Sequence, residues 1–228
     1  MKTRLIKALF VAMAACAPLA GTAQTTMRQL WVEMPDTLLP HLNKNLRQEC
    51  IDFVDMGVKA DVDNLLSGKT VMDTLTDVYT HVRLSESAEL ELRLLPLTDT
   101  SRVVCMVKTL RAPEPESSVA FFDMTWNRLD DDFGLKDVIP YNMVSDTPQR
   151  IGAFLHRPDT MTQERFEEIA SWIDPMMLSA ALSPSDDIIT FSLSFPITTR
   201  EERLQLCAVA KERRWRWTGG RFVELKRP

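Results

Sequence analysis

The chain has 228 residues, with 27 Lys and Arg against 32 Asp and Glu for a formal charge of −5, and 45% of its residues are hydrophobic. This is ordinary globular composition, which excludes a disordered or collagen-like chain, and the acidic balance argues against general nucleic-acid binding.

The first 23 residues, MKTRLIKALFVAMAACAPLAGTA, place Lys2, Arg4 and Lys7 ahead of an apolar run from Ala8 to Ala17, then Pro18 and small residues. That order is the order of a secretory signal, with cleavage expected after Ala23. A competing route would lipidate Cys16, but Met13, Ala14 and Ala15 ahead of it lack the Leu usual at the first of those positions. The apolar run falls short of the ~20 residues that a membrane helix needs, and no later run approaches that length. The expectation is an exported chain, in the periplasm or outside, with no transmembrane segment after cleavage. Loss of three basic and no acidic residues would move the formal charge from −5 to −8.

Beyond the signal, Leu46, Cys50, Phe53 and Val54 recur at helical spacing and predict an amphipathic helix, followed by a shorter one over Lys59 to Leu66. After Gly68 the segments VYTHVRL, ELELRLLPL, RVVCMVKTL and SVAFFDM alternate or run apolar between Ser, Pro, Asp and Thr clusters, the pattern of an antiparallel meander. Residues 130–160 read as loop, with Pro140, Pro148 and Pro158. Thr162 then caps a helix over TQERFEEIASWIDPM, and strands return in DIITFSLSF, RLQLCAVA, RRWRW and RFVEL, the last two joined by a Gly219-Gly220 hairpin turn.

The two halves correspond. Leu84-Ser85-Glu86-Ser87 answers Leu182-Ser183-Pro184-Ser185, Pro96 answers Pro196, Cys105 answers Cys207, and each half ends in an aromatic hairpin. The fold class expected is α+β, with two tandem helix-plus-antiparallel-meander units over residues 24–145 and 146–228 and the helices packed on one face of the sheets.

Catalytic, cofactor and metal motifs fail on inspection, and none is assigned. Gly68-Lys69-Thr70 resembles the end of a phosphate loop, but the position that needs its first glycine is Asp63 and strand-prone sequence follows. His41, His81 and His156 have no zinc spacing. Asp130-Asp131-Asp132 lacks the alternation of a calcium loop, and Glu164, Glu167 and Glu168 suit a helix start. The mature chain keeps Cys50, Cys105 and Cys207, an odd number. Cys105 and Cys207 sit in apolar strand-like runs and are expected as small buried hydrophobes, with a disulfide between them as the alternative an oxidising compartment permits.

The basic C-terminus carries a positive signal. Residues 211–228 hold seven basic residues against Glu212 and Glu224. In a strand, Trp215 and Trp217 share one face while Arg214 and Arg216 share the other. Either the tryptophans finish the core and the arginines pair with the acidic body, or Arg214, Trp215, Arg216, Trp217 and Arg221 together present an interface to an anionic envelope polymer, lipid or protein partner.

The segments MPDTLLPHL, LSGKT with Leu75-Thr76-Asp77-Val78-Tyr79, LRLLPL, VVCMVKT and VAFFDMTW resemble an uncharacterised family of secreted Bacteroidales proteins, domain of unknown function 3256. The resemblance implies export in an anaerobe and supplies no activity, cofactor or catalytic residue. The expected function is therefore a non-enzymatic envelope module that binds a protein or peptide partner. A periplasmic small-ligand or glycan carrier is the alternative, and an enzyme assembled from distant segments comes third.

Overall fold

The computed structural model describes residues 25–226 apart from 112, 137, 139–146 and 197. The export segment, Cys16 and the expected boundary at residues 145 and 146 lie outside the described residues.

The chain is α+β. A seven-stranded antiparallel sheet runs in sequence order through β1 (Ala60–Asp63), β2 (Lys69–Leu75), β3 (Tyr79–Arg83), β4 (Ala88–Pro96), β5 (Arg102–Arg111), β6 (Pro115–Phe122) and β7 (Arg128–Leu129). A second antiparallel sheet has four strands, β8 (Met177–Leu182), β9 (Ile188–Ser194), β10 (Arg213–Thr218) and β11 (Arg221–Glu224).

Alternation along the central strands sends side chains into two separate cores. Leu90, Leu92 and Leu94 of β4 and Val104 and Met106 of β5 pack against Met27, Leu30 and Trp31 of α1 (Met27–Glu33) and Cys50 and Ile51 of α2 (Lys44–Asp55). Val103, Cys105 and Val107 of β5 and Val119 and Phe121 of β6 face the other way, onto Leu178, Phe191, Trp215, Trp217 and Phe222 of the second sheet. The larger sheet is thus covered by helices on one face and by the smaller sheet on the other. Helical side chains enter both cores, because α3 (Thr147–Ala153), α4 (Gln163–Ala170) and α5 (Arg200–Val209) contribute Ile151, Ile169, Leu206 and Val209 to the core between the sheets.

Several elements differ from expectation, each for a physical reason. RLQLCAVA is α5 and not a strand: the side chain of Thr199 accepts from the Glu202 N–H and that of Glu202 from the Thr199 N–H, a capping box that starts a helix. The paired positions Cys105 and Cys207 therefore lie on a strand and on a helix. Lys59–Leu66 is β1 and a turn, since Ala60 and Val62 are buried in alternation with Asp61 and Asp63. Within the expected loop, Pro148 sits in the first turn of α3, where its missing N–H costs nothing. The expected helix to Met176 ends at Ala170, and β8 follows. Helix α1, with its own Thr26 and Gln29 capping box, was not anticipated.

Gly68 closes the turn between β1 and β2, and Lys69 and Thr70 already belong to β2. The Asn64 carboxamide oxygen accepts from the Leu66 and Gly68 N–H groups at 3.0 Å each, so those amides face a side chain and not a phosphate cradle.

The helical layer is fixed by one buried cation. Arg47 is 1% exposed; it donates to the carbonyls of Val32 and Leu42 and to the Asp36 carboxylate, which ties the segment after α1 to α2. Arg47→Met removes these bonds and strands the carbonyls, so it is expected to cost about 3–5 kcal/mol. Urea unfolding followed by circular dichroism measures it, and a loss under about 1 kcal/mol would contradict this role.

Candidate functional site

The C-terminal hairpin forms with the pairing expected, Trp217 opposite Phe222 and Thr218 opposite Arg221. Gly219 and Gly220 both take positive φ at its tip, which glycine adopts without strain. Trp215 and Trp217 are buried at 4% and 6% exposure, and the Trp217 Nε1–H donates to the Pro96 carbonyl of the larger sheet. The tryptophans are therefore core anchors and not presented aromatic groups, which corrects that part of the expected interface. The reason is packing: Phe191 stands edge-on to Trp215, and Phe222 edge-on to Trp217.

The arginines divide. Arg213 shares the tryptophan face, stacks on the rings of Trp215 and Phe154, and pairs with both oxygens of Glu224 at 2.7 and 2.9 Å. Arg214, Arg216 and Arg221 are exposed on the opposite face, and among the described residues no carboxylate lies within ion-pair distance of them.

A second surface feature was not foreseen. Strand β7 pairs with β6 only through Phe121–Leu129 and Phe122–Arg128, and the chain then turns away through residues 130–136. The space left is a groove of about 650 Å³ lined by Lys108, Leu110, Ser118, Ala120, Arg128 and Lys136 among others. Its outer wall is tied down. Phe133 packs on Phe121 and Trp217, its carbonyl accepts from the Phe222 N–H at 2.7 Å, and Gly134 approaches β11 so closely that a Cβ there would meet the Phe222 oxygen at 2.5 Å. The Asp131 and Asp132 carboxylates accept from the N–H groups of Phe133 and Gly134, which makes the acidic run a structural turn.

Between the sheets, Glu91 and Arg93 of β4 point at β8 and the loop beyond it. Glu91 accepts from the Tyr79 hydroxyl at 2.7 Å and from the Leu182 N–H at 3.1 Å. Arg93 donates to Asp187 at 2.8 Å and to the Ser183 carbonyl at 2.7 Å. Where the same face of the larger sheet runs out beyond β8, Arg83 clasps both oxygens of Asp73, Arg111 holds Glu89, and His81 stands 3.4 Å from Asp73 and 3.9 Å from Glu89. The Arg83 guanidinium holds the Asp73 carboxyl below its ordinary range. This is a lattice of ion pairs that neutralise one another. Among the described residues no group of His, Cys, Asp or Glu is arranged to hold a metal ion.

The comparisons with known proteins agree with this architecture. The model of a family of proteins of unknown function, DUF3256, matches residues 19–222. The chain belongs to that family. Among solved structures, a domain of an uncharacterised protein from Porphyromonas gingivalis W83 is similar with a TM-score of 0.67 at 21% identity, over 88% of this chain and 98% of that one. At that identity the likeness shows the fold. No curated protein matches.

In this member of the family the thiols are unlike one another. Cys50 and Cys105 are buried, and Cys207 is exposed on α5. All three are free, so the alternative of a Cys105–Cys207 disulfide falls away, as does the expected burial of Cys207. Burial pushes the Cys50 thiol up to about 12 and Cys105 higher still. With the chain from residue 24, Ellman's reagent is expected to label one thiol in the native protein and three after unfolding. A total below three in unreduced, unfolded protein would reveal a bond.

Burial also raises the Glu91 carboxyl, against the lowering effect of its bonds from Tyr79 and Leu182. A carboxyl raised on folding favours the folded state most at pH below its unfolded value near ~4.3, and that contribution is lost as pH climbs through the raised value. Glu91→Gln keeps an acceptor for the Leu182 N–H and does not titrate. Relative to this variant, the native chain is expected to lose stability as pH rises from about 4 through the raised value, measured by urea unfolding at each pH. Parallel pH profiles for the two chains would show that Glu91 is not held this way.

Proposed function

We propose that this protein is an exported, non-enzymatic module of the cell envelope, in the periplasm or outside, that binds a protein or peptide partner. The observation that carries the reading is the exposed arginine face of the C-terminal hairpin. Three guanidinium groups, Arg214, Arg216 and Arg221, stand without a carboxylate partner among the described residues, in a chain whose net charge is acidic. Arginine is a favoured interface residue because its planar fork pairs with carboxylates at two points. Trp215 and Trp217 anchor β10 in the core beneath that face. The division into units over residues 24–145 and 146–228, related by duplication, belongs to the same reading. The equivalence of the loops at Leu84 and Leu182 supports it, since both connect the strands of a hairpin, β3 to β4 and β8 to β9.

A carrier of a small ligand is the second reading. The groove beside β6 favours it, because about 650 Å³ lies within the range of small-molecule sites.

Crosslinked capture from envelope extract, with the native chain beside Arg214→Ser/Arg216→Ser/Arg221→Ser, tests the first reading. A polypeptide retained by the native chain and lost by the variant is the expected result, verified with the purified pair. Retention of the same set by both chains, or of nothing by either, would sink it.

A further inference from the structure

We draw no further inference here: the strongest candidate, the open outer edge of β6 along the groove, sets Glu116 and Asp130 beside Lys108 and Arg128, so its charge selects no class of ligand, and nothing in the structure shows what covers it.

Discussion

The architecture depends on how the smaller sheet is seated on the larger one, and two charged residues of one strand bond directly across that seam. Glu91 and Arg93 lie two apart on β4 and so share a face. Glu91 takes the Leu182 N–H at the free edge of β8, and Arg93 takes Asp187 and the Ser183 carbonyl just beyond. Burying a charge is costly unless it is paired: Arg93 is paired with Asp187, while Glu91 has only neutral donors and its carboxyl is raised. Apolar contact alone would let two sheets slide. These bonds admit one register, and Trp217 on Pro96 and Ser194 on Pro115 repeat the same choice at other points along the seam.

That seam fixes which surfaces remain for function. With one face of the larger sheet under α1 and α2 and much of the other under the smaller sheet, the outer face of β10 and β11 and the groove beside β6 are among the surfaces that stay exposed. The two are linked mechanically, because the 130–136 segment that walls the groove is docked onto β11 through Phe133. A partner engaging one surface would therefore meet a structure braced by the other.

How far the sequence reveals this follows from which signals are local. Strands β3 to β6 were legible because long apolar runs alternate between turn clusters, and α2 and α4 because a polar cap precedes a stripe at helical spacing. The outward arginines followed from strand periodicity alone. Helix α5 was not, since Leu204, Leu206 and Ala208 alternate as a strand would, and only the Thr199 and Glu202 pair distinguishes it. Strand β8, rich in Ala and Ser, owes its state to pairing with β9 and has little strand propensity of its own. The groove had no local signal at all. It arises where Val119, Asp131 and Phe222, distant in sequence, converge.

An open edge invites unwanted pairing between copies, so its chemistry says how the risk is contained. Exposed Glu116 and Ser118 alternate with Ser117 and Val119 along β6, and Lys108 flanks them on β5. Two copies meeting edge to edge would bring these charged groups into a narrow seam, and a contact of five residues buries far less than the ~1,200 Å² that stable association needs. The bonds that seat Glu91 and Ser117 on β8 consume the outer edge of the smaller sheet within the molecule.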